Sequence, residues 1–169
     1  MATPETTMPD LLTHALIAYT LATLLSWQYD WLSPPDVTVA MAGAFVPDLA
    51  KLTLLVSSAR VESLLGIPFD WFALHTLGGS LVSLTIGVVL VTSEDRRRVA
   101  GLLSLGATSH LLADALLVTP SGRSYPLLWP LSHSHPPTPG LYLSTDPEPA
   151  FVMAVVASVV FVLTRLRRR

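Results

Sequence analysis

His110 and Asp114 stand four residues apart in "GATSHLLADALLV", Gly106 to Val118. That spacing puts an imidazole and a carboxylate on one face of a helix, inside a run otherwise apolar enough to lie in a membrane. His14, Asp48, Lys51 and His75 sit in comparably apolar runs. An ionisable group left unpaired in such surroundings is costly, so each is a functional candidate. Imidazole and carboxylate donors together suit zinc, manganese or iron, whereas magnesium and calcium prefer oxygen ligands alone. Three histidines and two aspartates are more than one four-coordinate ion needs, which leaves room for a second ion or for carboxylates that orient ligands and take protons. The plainer readings are that His14 bonds a neighbouring helix, that His110 and Asp114 pair with each other, and that Lys51, one turn after Asp48, is simply its counter-ion.

The elements that must carry these groups follow from composition. The chain has 169 residues, 51% of them hydrophobic and 13% charged, and its mean hydropathy of +0.56 exceeds that of ordinary soluble domains. Five stretches approach the ~20 apolar residues of a transmembrane helix: Leu11–Trp27, Val37–Ser57, Trp71–Thr92, Val99–Val118 and Ala150–Leu166. The expected fold is all-α, an integral membrane bundle of five transmembrane helices forming a single domain over residues 1–169. Most basic residues fall in two clusters, Arg96–Arg98 and Arg165 with Arg167, Arg168 and Arg169. The positive-inside rule places both in the cytoplasm, with the N-terminus outside and the C-terminus cytoplasmic. His14 and His75 then lie near the outer ends of their spans, Asp48 at mid-depth, and His110 with Asp114 in the outer half of the fourth. All five can meet in one layer at or above the membrane midplane.

Other features narrow the field. The chain has no cysteine, which excludes disulfides and thiolate metal sites. The segment "MATPETTMPD" lacks the basic region of a cleaved signal peptide, so the first span is expected to be retained. No basic arm or aromatic-basic platform suggests nucleic acid. Thr119–Pro149 is rich in proline and cannot be one helix. It reads as a long external loop before the last helix, and its apolar "YPLLWPL", Tyr125 to Leu131, predicts packing or an interfacial position. The loop adds His133, His135 and Asp146, together with Arg123, which could hold an anion such as phosphate or snorkel to lipid headgroups.

"MPDLLTHALIAY", "GAFVPDLAKL", "LHTLGG" and "ATSHLLADALLVTPSGRSYPLLWPLS", in that order, resemble the YdjM-like family of small membrane-bound proteins described as metal-dependent hydrolases. The family pattern has a histidine in the first helix, a Pro-Asp in the second and an HRG-x-THS stretch. A Ser-His-x-x-x-Asp helix follows, and then a glycine and a Leu-Trp-Pro-Phe-Ser stretch. The matching positions are His14, Pro47–Asp48, His75, Ser109–His110 with Asp114, Gly122, and Leu128 to Ser132. The chain departs from the pattern where Asp70 replaces the first histidine of the HRG-x-THS stretch, Trp71 and Phe72 replace the Arg-Gly, and Thr76 replaces the final serine.

The resemblance implies a metal-dependent hydrolase, and the placement of the site at or above mid-bilayer facing outward suggests as its substrate a phosphoester or ester of a membrane lipid or its headgroup at the outer face. His14, His75, His110 and Asp114 would be ligands of a divalent metal, zinc or else manganese or iron. Asp48 would be a ligand or the base, and Asp48 and Asp114 the catalytic carboxylates. Asp70, Arg123, His133 and His135 are additional candidates. The alternatives are a metal or proton conductor using the same residues as a relay, which needs ionisable groups at several depths, and a structural, partner-binding bundle.

Overall fold

The computed structural model describes residues 9–167, so Arg168 and Arg169 of the C-terminal basic cluster lie outside it. The described elements are helices: α1 (Pro9–Leu25), α2 (Pro34–Ala44), α3 (Ser58–Leu65), α4 (Leu77–Val89), α5 (Arg96–Asp114) and α6 (Glu148–Arg167). Two 3-10 segments, Pro47–Leu54 and Trp71–His75, lie between them. Among the described residues there is no strand, only two isolated bridges, Leu117 with Tyr142 and Arg123 with Pro137.

Two stretches expected as continuous spans are broken. In 37–57 the chain leaves α2 at Ala44 and bends by 53° into Pro47–Leu54. Proline at 47 lacks an N–H and its ring disfavours helical backbone just before it, so α2 cannot run on. In 71–92 the break is at Thr76, whose extended backbone (φ −129°, ψ 166°) ends one helix and starts the next. Its hydroxyl accepts from Gly79 N–H at 3.2 Å and donates to Ala73 O at 2.6 Å, a side-chain N-cap for α4. Among the described residues Glu148–Arg167 alone is by itself long and apolar enough to cross a membrane, and the bent pair Pro34–Ala44 with Pro47–Leu54 would make a second.

The most deeply buried apolar positions of the interior are mostly alanines. Ala18, Ala22, Ala40 and Ala44 are fully buried, while Leu81, Val82 and Ile86 on α4 and Phe151, Val152 and Val159 on α6 are exposed. A soluble protein buries its large aliphatic side chains; small residues inside and large ones outside is the packing of helices in lipid. The α2–α5 crossing is the tightest contact. A Cβ on Gly106 would lie 2.0 Å from Ala40 O, and one on Gly43 would lie 2.3 Å from Leu103 O. Both glycines are therefore needed for the two backbones to meet.

The two ends of the bundle differ. At one end Ser33 N–H donates to Asp36 Oδ2 at 2.7 Å, closing the first turn of α2, and Arg98 at the start of α5 pairs with the same carboxylate. There too Trp27 Nε1–H donates to Thr164 Oγ1 at 2.8 Å, which fixes the far end of α6 beside the end of α1. The opposite end gathers the starts of α1 and α4, the ends of α2 and α5, and the loop 119–149. That loop is ordered by backbone bonds: Leu141 N–H donates to Leu116 O, Val118 N–H to Tyr142 O, Leu77 N–H to Leu127 O and Gly78 N–H to Trp129 O, all between 2.7 and 2.8 Å. The last two supply partners to amides that the first turn of α4 cannot satisfy itself. A Cβ on Gly78 would lie 2.5 Å from Pro130 Cδ, so only glycine admits the loop so close.

Candidate metal centre

Asp114, at the last position of α5, is the hub. Its Oδ2 lies 2.6 Å from His75 Nε2 and 3.3 Å from His110 Nε2, and its Oδ1 lies 3.1 Å from His14 Nε2. His14 and His110 are fully buried, and their rings stack with centroids 3.7 Å apart. Asp48 approaches from the bend after α2, its Oδ1 3.9 Å from His110 Nε2. The helix starts and ends named above bring these five side chains together from four separate elements. Asp48 reaches them because the chain bends by 53° at Pro47, and His75 because Thr76 stops the 3-10 segment one residue later.

Two histidines have their orientation set by backbone. His110 Nδ1 lies 2.7 Å from Ala44 O, and His75 Nδ1 lies 3.3 Å from Pro47 O. A carbonyl only accepts, so in His110, whose Nε2 has no hydrogen-bond partner, Nδ1 carries the hydrogen and Nε2 of the neutral ring presents its lone pair to the cluster, whereas His75 Nε2 lies within hydrogen-bond range of Asp114 Oδ2 at 2.6 Å. The lone pair of His110 Nε2 faces Asp114 Oδ2 at 3.3 Å, and the two repel unless a cation lies between them. Buried polar atoms without a hydrogen-bond partner gather here: His14 Nε2, His110 Nε2, Asp114 Oδ1, Asp48 Oδ2 and Asp10 Oδ1. The His14–Asp114 pair is close enough for an ion pair yet misaligned for a hydrogen bond, so the contact satisfies neither atom. Two triads have ligand atoms within 4.8 Å of one another, His14–His110–Asp114 and Asp48–His75–His110. Nitrogen and oxygen donors held by backbone carbonyls fit a divalent transition ion.

A cleft of about 310 Å³ opens onto the cluster, lined on its polar side by Asp10, Asp48, Lys51, His75 and Asp114. Phe72 and Tyr125 wall it and pack on His75, with ring centroids 5.9 and 5.7 Å away. Lys51 Nζ lies 2.7 Å from Asp48 Oδ1 and 3.8 Å from Asp10 Oδ2. Tyr142, in the loop beneath α5, donates its hydroxyl to Ala113 O at 2.9 Å. Burial, reinforced by the charges of Asp114 and Asp10, pushes its phenol up to about 12, so it remains a donor.

Sequence reasoning missed Asp10, whose Oδ1 lies 3.0 Å from His14 Nε2. Its signal was present: Asp10 and His14 repeat, in reverse order, the i, i+4 spacing of His110 and Asp114. The additional candidates are placed elsewhere. Asp70 is exposed and accepts from Phe72 N–H at 2.9 Å, capping the 71–75 segment rather than joining the cluster. Trp71 donates its indole N–H to Val56 O at 2.7 Å. Arg123 donates to His135 O at 3.3 Å, and His135 Nδ1–H donates to Ser124 O at 3.0 Å. Those two and His133 are exposed, and none of the three lines the cleft. Their contacts brace the loop.

Compared with known sequences, the chain matches the model of the YdjM inner membrane protein family over residues 8–169. No curated protein and no solved structure matches it. With the match running over nearly the whole chain, the protein belongs to the YdjM inner membrane protein family.

Proposed function

We propose that the protein is a five-span membrane hydrolase, dependent on a divalent metal, that cleaves a phosphoester or ester of a lipid or its headgroup at the outer face. The observation that carries the reading is Asp114 facing three imidazole nitrogens in a buried cluster that opens to a cleft. Five spans are supported by the small-inside, large-outside packing, with α2 and Pro47–Leu54 together forming one bent crossing. Placing the arginine end in the cytoplasm puts the N-terminus outside and the cluster at the outer side.

His14, His110 and Asp114 would hold the ion, with His75 completing the set from the cleft side; zinc suits these donors best, and manganese or iron also suit them. The ion would supply Lewis acidity, acidifying a water and drawing electron density from the ester oxygen. Ala44 O and Pro47 O keep the imidazoles of His110 and His75 aimed. Asp48, reached from the cleft, accepts the proton of the attacking water, and Lys51 steadies that carboxylate. Phe72 and Tyr125 exclude bulk water from one side of His75. A conductor would need ionisable groups spread through the depth of the bundle, whereas these gather at one end.

Elemental analysis of the detergent-purified protein tests the site directly. Wild type is expected to carry zinc, manganese or iron, and His110→Ala and Asp114→Ala to lose most of it. Equal metal in all three, or none in wild type, overturns the assignment. Release of phosphate or fatty acid from lipid extracts, abolished in Asp48→Asn, then tests catalysis.

A further inference from the structure

The segment Pro47–Leu54 is a 3-10 helix of eight residues, twice the usual length of such a piece. With three residues per turn, side chains three apart line up one above another. Asp48 and Lys51 therefore form a polar stripe, and Leu49, Leu52 and Leu55 an apolar stripe beside it. The polar stripe lines the cleft. The apolar stripe lines a separate groove of about 400 Å³ that also includes Leu11 and Phe45. Asp48, Lys51 and Leu54 belong to both, so cleft and groove adjoin along one edge. The groove lies open along the surface: Leu49 is 41% exposed and Leu55 81%.

We propose that this pair of cavities binds a lipid with an anionic headgroup, one acyl chain lying on Leu49, Leu52 and Leu55 and the headgroup phosphate meeting Lys51. The proposal rests on the hydrolase reading and names the substrate class for that site. Among the described residues Lys51 is the one cation lining either cavity. Its ammonium has three donors, of which Asp48 takes one at 2.7 Å and Asp10 lies beyond hydrogen-bond range at 3.8 Å. A donor is thus free at the junction, where an amphiphile turns from apolar to charged. A water-soluble phosphoester would leave the groove unused, and a neutral lipid would leave the free donor of Lys51 unused.

The test is binding of three probes to the full chain in detergent by calorimetry: dihexanoyl phosphatidate, glycerol 3-phosphate and dihexanoylglycerol. Each is measured with zinc-loaded and chelator-treated protein, and metal content is measured separately. Phosphatidate is expected to bind at least ~10-fold more tightly than either of the others, since it alone combines a charge-assisted bond with buried methylenes. Lys51→Gln should lower phosphatidate affinity about 10-fold and leave dihexanoylglycerol unchanged. Leu49→Trp, filling the groove, should weaken phosphatidate and dihexanoylglycerol alike and spare glycerol 3-phosphate. Leu55→Asn, at an exposed position that leaves packing intact, should repeat the Leu49→Trp result. Equal affinity for phosphatidate and dihexanoylglycerol, or variants without effect, overturns the proposal. Absence of metal with lipid selectivity intact overturns the hydrolase reading instead.

Discussion

Gly106→Ala adds one methyl group to the tightest helix crossing, four residues before His110. The new Cβ would lie 2.0 Å from Ala40 O and 2.5 Å from Ala44 N, whereas ordinary contact begins near 3.4 Å. The obstacles are backbone atoms, so α2 and α5 must part by about 1.4 Å at that point, the difference between 3.4 and 2.0 Å. A parting of that size carries Ala44 O, now 2.7 Å from His110 Nδ1, beyond the ~3.2 Å reach of a hydrogen bond. Overpacking of this kind costs about 1–3 kcal/mol, and the lost bond to His110 about 1 kcal/mol more. Loss of a partner that orients a metal ligand lowers affinity roughly 10–100-fold. Gly101 is the control, because a Cβ there meets nothing within 4 Å; Gly101→Ala should stabilise by up to ~1 kcal/mol. Thermal unfolding in detergent and zinc competition against a chelator of known affinity read the two effects. Equal Tm and equal zinc affinity in the two variants would refute the argument that backbone contact at Gly106 positions His110.

Three further outcomes are expected. Thr76→Ala removes the cap of α4, costing about 1 kcal/mol and loosening His75, so zinc affinity should fall while Thr76→Ser retains it. Asp10→Asn should weaken zinc binding less than Asp114→Ala does, since Asp10 contacts His14 alone of the histidines; equal losses would make Asp10 a hub in its own right. Asp36, at the arginine end, accepts from Ser33 N–H at 2.7 Å and pairs with Arg98. A carboxylate stabilises through such contacts chiefly while it is ionised, and loses them as acid protonates it. The Tm of Asp36→Asn should therefore lie below wild type at pH 7, and the gap should close as pH drops below about 4. A gap independent of pH would show that shape rather than charge matters at that position.

His14, Asp48, His75, His110 and Asp114 could be grouped from sequence because arginine placement orients the apolar runs, and orientation fixes which ends share a layer. The breaks at Pro47 and Thr76 were harder to read. Both lie inside runs hydrophobic enough to pass as single spans, and a cap or bend decides only which way the chain leaves a helix. Asp10 escaped notice because it stands at the edge of the first apolar run, where a carboxylate usually meets water. The seat of the loop was out of reach for another reason: bonds such as Leu141 to Leu116 and Gly78 to Trp129 join positions distant in the chain, and no local pattern encodes them. Asp70, judged by its place in a motif, proved to be a cap.

The contact between Leu77–Gly78 and the loop at Leu127–Trp129 also orders events during synthesis. When α4 emerges, the residues that will satisfy its first two amides have not been made; some 50 residues of chain, including all of α5, come between. Until they arrive, the amide end of α4 must keep its water, so the helix can be inserted but not seated. His75, on the turn just before it, packs against Tyr125 of the same loop, ring centroids 5.7 Å apart. Seating of α4 is thereby tied to synthesis of the loop, and a nascent protein halted before Leu127 should leave Gly78 open to amide exchange that the finished protein suppresses.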